Sequence, residues 1–337
     1  MLILDEKKIR KGKPVGLPYQ GSKKKISKKI VEIIKQNFGT DKAIYDVFGG
    51  GGAITAECLL NGLDVRYNDL DKTITNMFHL VVSSDREFLK TLLISRDEFL
   101  EIREKENKST ADELKLLVNS FGNNRKGYIY GKEHAVLKHN LAKEIVEKHD
   151  VFSGYKHTEV FETAQRTFDE IKDKEPQIVQ QLNNLQRLQQ LQQLQQLERL
   201  QQLQQLQQLQ QLERLQQLQQ LQQLQQLERL QQLQQLQQLE RLEVTNLDYK
   251  AFSGVEGAIF YLDPPYENTT HATYKGDFNS QKFYDWVVEM SKNNIVLISS
   301  YEISDVRFKC VYEFKTAKST LQSGSAGKRY EKLFMVK

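Results

Sequence analysis

The sequence predicts an α/β fold built around an open, mostly parallel sheet with an antiparallel C-terminal edge. Three observations carry this. Short apolar runs of buried-strand type at 43–48, 62–69, 258–262 and 294–301 alternate with stretches of helical spacing. The first run empties into Gly49-Gly50-Gly51-Gly52 and a helical stretch, and the second ends in an acid, Asp69. The third breaks off at Asp263-Pro264-Pro265-Tyr266, where the prolines fix φ at about −65° and cannot donate to a sheet ladder.

Composition bounds the rest. The chain has 337 residues, but 180–241 is low-complexity. Without that block about 275 residues remain, enough for one α/β domain with a sizeable insertion. Net charge is +4, with basic clusters at Lys7, Lys8, Arg10, Lys11 and Lys13, then Lys23, Lys24, Lys25, Lys28 and Lys29. Such an N-terminal patch suits a polyanion. Cys58 and Cys310 are the only cysteines, which excludes a disulfide framework and a cysteine zinc site. No signal peptide or apolar run of membrane-spanning length is present, so a soluble, cytoplasmic protein without a membrane partner is expected.

Residues 14–38 open as a Pro/Gly/Ser loop containing Tyr19-Gln20-Gly21-Ser22-Lys23, in which Ser22 is placed to cap the next helix. Ile26, Ile30, Ile33 and Ile34 then fall at helical spacing, opposite a lysine-rich face. The strand 43–48 leads into the glycine loop, where the backbone is free to take positive φ and approach a ligand. A helix over 53–61 points its free N–H groups back at that loop. Twenty residues separate Gly49 from Asp69, the interval at which a Rossmann-like unit sets a carboxylate on ribose hydroxyls. The glycine spacing is not the dinucleotide fingerprint. A nucleoside cofactor without a pyrophosphate fits better.

From 72 to about 174 the chain reads as mostly helical. Within it, 119–132 alternates amides, glycines, basic side chains and aromatics, and Asn123, Asn124, Arg125, Lys126 and Tyr128 are its candidate DNA-contacting residues. Asn and Arg can read base edges, and Lys or Arg can hold phosphate.

Leucine recurs at every third position from Leu182 to Leu242, mostly with Gln-Gln between and Glu-Arg at 198–199, 213–214, 228–229 and 240–241. Propensity favours helix. Three residues advance about 300° on an α-helix, so the leucines drift by about 60° each and circle it in about 18 residues. A coiled-coil seam would need a period of about 3.5. The block supplies no group of useful pKa, and the Glu-Arg pairs read as solvated surface. It is expected to be a helical insertion between functional segments, largely removable without loss of catalysis.

Beyond it, 242–249 resumes strand character and ends near Asp248. A polar loop at 267–279 precedes a helix with Phe283, Trp286, Val287 and Met290 at core spacing. Two strands, 309–314 and 328–336, complete the antiparallel edge. One carboxylate, one proline carbonyl and one aromatic ring meet at Asp263-Pro264-Pro265-Tyr266. That set can hold a planar, amine-bearing base.

These residues together resemble the adenine-specific DNA methylases that methylate N6 with S-adenosylmethionine. The likeness covers 14–90 and 243–337, more weakly 115–135. It rests on Tyr19-Gln20-Gly21-Ser22-Lys23, Phe48-Gly49-Gly50-Gly51-Gly52, Asp69, Asp248 and Asp263-Pro264-Pro265-Tyr266 in that order. The resemblance implies a Rossmann-like methyltransferase sheet over 1–90 and 243–337, a mostly helical target-recognition region over 91–179, and the repeat insertion over 180–242. It implies Asp263, Pro264 and Tyr266 as catalytic residues. It further implies Tyr19, Gly21, Lys23, Asp46, Phe48, Gly50, Gly52, Asp69, Asp248 and Asp263 around S-adenosyl-L-methionine, with no metal. Double-stranded DNA is the implied partner, in a bacterial or phage-infected cell. A cognate restriction endonuclease and the choice between monomer and weak dimer stay open. N4 methylation of cytosine, methylation of a protein amide, and a non-catalytic scaffold built on the repeat are the competing readings.

Overall fold

The computed structural model describes residues 1–19, 22–167, 221–236, 242–267, 278–318 and 330–337. Gly21, most of the leucine–glutamine block and the loop at 268–277 lie outside them. The chain divides into two compact units: Met1–Leu89, Lys108–Leu117 and Arg229–Lys337 form the first, and Lys90–Asn107 with Val118–Glu228 the second.

Seven strands form one sheet, all within the first unit: β1 Ile44–Asp46, β2 Val65–Asn68, β3 Glu243–Thr245, β4 Ile259–Leu262, β5 Ile295–Ser300, β6 Phe308–Lys318 and β7 Tyr330–Val336. Their order is β3-β2-β1-β4-β5-β7-β6. The five strands from β3 to β5 pair in parallel, while β7 pairs antiparallel with both β5 and β6. The expected architecture is therefore present. The described helices with assigned bounds are α1 Ser27–Phe38, α2 Ala53–Leu60, α3 Lys72–Ser83, α4 Arg86–Lys90, α5 Arg96–Glu104, α6 Thr110–Val118, α7 Lys132–His149, α8 Gln222–Gln234 and α9 Ser280–Met290. None is long and apolar enough to cross a membrane.

β4 is buried at every residue, which explains why its sequence is apolar throughout and not alternating. Phe260 and Leu262 on one of its faces pack with Phe283, Trp286, Val287 and Met290, the periodic face of α9. α1 buries Ile30, Val31, Ile33 and Ile34 completely. These two layers hold the sheet rigid beneath its carboxyl edge.

Three local expectations need correction. Ser22 caps a single 3₁₀ turn, Lys23–Lys25, by accepting from the Lys24 N–H; α1 starts a turn later without a side-chain cap. The chain bends there because Lys24 donates back to the Leu17 carbonyl at 2.9 Å. β3 takes only three residues of the 242–249 run, since Asn246 turns away to donate to the carbonyls of Asp69 and Leu70. The repeat, finally, is not all solvated insertion. Leu221, Leu224, Leu227, Leu230 and Leu233 are all fully buried, and Glu228 and Arg229 are half-buried. The circling leucines predicted from the period are real in α8, and they mark a helix enclosed by protein.

Candidate active site

Strand order reverses between β1 and β4, and open α/β sheets bind ligands in the crevice outside such a switch point. A cavity of about 320 Å³ lies there in the first unit, with Tyr19, Lys23, Asp46, Phe48, Gly50, Asp69, Asp248, Tyr249, Tyr261, Asp263, Pro265 and Phe278 among its lining residues.

The glycine loop forms the cavity floor, and packing explains its composition. A Cβ at Gly49 would sit 2.3 Å from the Tyr67 ring, and one at Gly52 would sit 2.2 Å from the Phe78 ring. Those two rings stack at 4.4 Å, so neither can yield. Gly50 is clamped at both ends: its N–H donates to Asp69 Oδ2 at 2.8 Å, and its carbonyl accepts from the Tyr67 hydroxyl at 2.8 Å. Tyr19 lies over Gly50 and Gly51.

Three acids from three strand ends line this one cavity. Asp46 is buried, with Oδ2 accepting from the Thr55 hydroxyl at 2.7 Å and the Thr55 N–H at 3.1 Å, which ties β1 to α2. Burial pushes its carboxyl up to about 7, helped by Asp263 and Asp69. Burial likewise pushes Asp69 up to about 6. Asp263 is raised by burial and by Glu331, against the pull of Lys23. Asp248 is exposed and caps a 3₁₀ turn by accepting from the Lys250 N–H.

At the Asp263 corner, Lys23 Nζ lies 2.7 Å from Asp263 Oδ2 and 3.6 Å from Glu331 Oε1. The Tyr266 hydroxyl is 2.9 Å from Asp263 Oδ1 and also bonds Glu331, while Ser299 Oγ donates to Glu331 at 2.7 Å. Lys23 stands over the Tyr266 ring, 5.1 Å from its centroid. Sequence reasoning missed Glu331 and Ser299, whose strands carry no local signal of a site. It also missed Asn68, which holds the cavity edge by donating to the Val47 and Leu247 carbonyls at 3.0 and 2.9 Å.

The candidate DNA residues lie in the second unit. Ser120 and Tyr128 form an antiparallel bridge closing a turn in which Asn123 and Arg125 take positive φ. Asn124 and Lys126 are exposed at that tip, as is Phe121, a residue 68% exposed. Tyr128 is placed differently: its hydroxyl donates to the Ile94 carbonyl at 2.9 Å and its ring packs on Phe99. The N-terminal basic cluster is also largely tied into the fold. Arg10 pairs with the buried Glu57 at 2.9 Å, Lys28 donates to the Gly12 carbonyl, and Lys29 pairs with Glu6.

Sheet order, a glycine-floored cavity at the switch point, and acids on neighbouring strand ends are consistent with a methyltransferase-type α/β fold. Residues 19–130 match the family described as D12 class N6 adenine-specific DNA methyltransferase. That match spans about a third of the chain, from the loop carrying Tyr19 through the glycine loop and Asp69 to Tyr130. No curated protein matches the chain.

Proposed function

We propose that the protein moves a methyl group from S-adenosyl-L-methionine to N6 of adenine in duplex DNA, with the target base turned out of the stack toward Asp263-Pro264-Pro265-Tyr266. The observation that carries this reading is the meeting of Asp69, the clamped Gly50 and the Lys23–Asp263 pair in one cavity, with the Tyr266 hydroxyl bonded to Asp263. The cavity also fits a cationic nucleoside: Asp46, Asp69 and Asp263 all have raised carboxyl pKa values, and a cation among them would favour their charged forms.

Tyr19, Lys23, Asp46, Phe48, Gly50, Gly52, Asp69, Asp248 and Asp263 would hold the cofactor, together with Gly21. Its sulfonium supplies an activated methyl, which leaves alignment to the protein. An adenine amino nitrogen is a weak nucleophile because its lone pair is delocalised into the ring. Accepting its hydrogens at Asp263 and at the Pro264 carbonyl localises that lone pair toward the methyl. Tyr266, anchored through its hydroxyl, offers its ring to a base that has left the duplex, where N6 is otherwise engaged in pairing. In the second unit, the tip carrying Asn123, Asn124, Arg125 and Lys126 serves as the target-reading element.

The test is Asp263→Ala. Binding of S-adenosylhomocysteine should stay close to that of the parent, while transfer to unmethylated genomic DNA falls by about 10²-fold or more. Nucleoside analysis of the product distinguishes N6-methyladenine from N4-methylcytosine. Near-normal turnover in this variant would end the assignment.

A further inference from the structure

The leucine–glutamine repeat carries none of the residues assigned above to methyl transfer, yet its described copy is core. Gln223 on α8 is fully buried within the second unit. Its Nε2 faces the Ile94 carbonyl at 3.0 Å, Asn119 Oδ1 at 2.5 Å and the Tyr128 hydroxyl at 3.1 Å, and its backbone N–H donates to the Tyr130 hydroxyl at 3.2 Å. The Ile94 carbonyl can only accept, which settles which amide atom points into this cluster. The Tyr128 hydroxyl donates to the same carbonyl at 2.9 Å, and Asn119 Nδ2 donates to the Leu92 carbonyl at 2.7 Å. Each arm of the 119–130 hairpin is thus bonded directly to residues 92–94, and Gln223 ties the two arms and Ile94 together at one point.

The hairpin is short. Its arms are joined at the Ser120–Tyr128 bridge, by the Phe121 N–H to Gly127 carbonyl bond at 2.9 Å and by the Ile129 N–H to Asn119 carbonyl bond at 2.8 Å, while Ser120 Oγ accepts from the Arg125 N–H at 2.9 Å. A ribbon of that size is marginal alone in water. We propose that the last copy of the repeat is a brace built into the DNA-reading element, with Gln223 the positioning residue that holds the hairpin's arms and so orients its tip. This rests on the reading of the tip as the DNA contact.

Glutamine suits the place because its two amide hydrogens meet several acceptors that no leucine could satisfy, while the flanking leucines bury the helix. The windows 192–204, 207–219 and 222–234 are identical in sequence. A change at Gln223 alone leaves two identical windows able to supply the same contacts. The test variant therefore carries Gln193→Met, Gln208→Met and Gln223→Met together. Methionine keeps length and helix propensity but donates nothing. A control carries only Gln193→Met and Gln208→Met.

In the full chain, hydrogen exchange at the Phe121 and Ile129 amides should speed by about tenfold or more in the triple variant, and KM for unmethylated genomic DNA should rise by about tenfold. kcat and S-adenosylhomocysteine affinity should stay within about twofold, and the control should match the parent throughout. Unchanged exchange overturns the brace. Faster exchange with an unchanged DNA KM upholds the brace and overturns the hairpin as DNA reader. A loss confined to kcat overturns the positioning role. Should the triple variant fail to fold, Tyr130→Phe removes the hydroxyl that accepts from the α8 backbone at Gln222 and Gln223; exchange at Ile129 should still quicken, and no change there overturns the brace.

Discussion

Lys23 and Asp263, from opposite ends of the chain, meet at 2.7 Å inside the cavity, their side chains 15% and 17% exposed. The pair is not isolated. Glu331 Oε1 lies 3.6 Å from the same ammonium, so one ammonium serves two carboxylates. Burial and Glu331 push the Asp263 carboxyl up, and Lys23 draws it down. On the proposed reading, an ionised Asp263 is the stronger acceptor for the amino hydrogens of adenine, so this balance should set the acid limb of the pH profile.

Removing the cation tips that balance one way. In Lys23→Met, Asp263 loses its only downward charge partner named above and must reach a higher pH to ionise. Single-turnover transfer at neutral pH should fall by about tenfold or more and recover partly as pH rises. An acid limb left in place would show that Lys23 does not govern Asp263.

Removing the second carboxylate tips it the other way. Glu331→Gln keeps an oxygen to accept from Ser299 and Tyr266 but deletes the charge that raises Asp263. The acid limb should shift to lower pH, opposite in sign to Lys23→Met. Limbs moving in the same direction in both variants would contradict the electrostatic account.

How much of this was legible beforehand depended on whether a residue acts locally. The parallel strands, the glycine loop and the turn at Asp263-Pro264 are written in runs of neighbours, so pattern and proline chemistry expose them. Lys23 could be read through its place beside Tyr19, although its partner could not. Glu331, Ser299 and Asn68 act only on atoms brought to them by the sheet, and each sits in an ordinary strand sequence. Tyr128 reads as one of the candidate DNA-contacting residues, yet its hydroxyl is engaged by Ile94 and Gln223. Gln223 is indistinguishable in sequence from its neighbours in the repeat. Its role comes from where the helix is packed.

Asp69 gives a prediction in the mildly acidic range. Its carboxyl, ordinarily near 3.8, is pushed up to about 6 by burial, so it holds a proton below that pH in the ligand-free protein. Ribose hydroxyls donate to a carboxylate better than to a carboxylic acid. Affinity for S-adenosylhomocysteine should therefore weaken as pH drops through about 6, by up to about tenfold per unit, and Asp69→Asn should bind weakly with little pH dependence. For stability of the free protein the sign reverses. A raised carboxyl favours the fold most below its ordinary value, and that contribution is lost as pH rises through about 6. Calorimetric titration from about pH 5 to 8 checks the first, and thermal melts from about pH 4 to 7 check the second.

Gly52 joins the glycine loop to α2 at φ +69°, in the left-handed region, with the Phe78 ring 2.2 Å from where a Cβ would stand. Alanine there meets two obstacles at once. The backbone conformation alone costs about 1–2 kcal/mol, and relief of the clash requires parting the Tyr67–Phe78 stack, whose rings are nearly parallel at 6°. Parting it would disturb the Tyr67 hydroxyl on the Gly50 carbonyl, and through Gly50 the N–H that Asp69 accepts. Gly52→Ala should thus lower the melting temperature and weaken S-adenosylhomocysteine binding by more than the stability loss alone accounts for. Gly62 is the internal comparison: it has nearly the same φ, +70°, but a Cβ there meets nothing within 4 Å. Gly62→Ala should show only the backbone cost, about 1–2 kcal/mol by denaturant titration, with cofactor affinity unchanged. Equal effects of the two substitutions on affinity would mean that the Phe78 contact does not shape the loop.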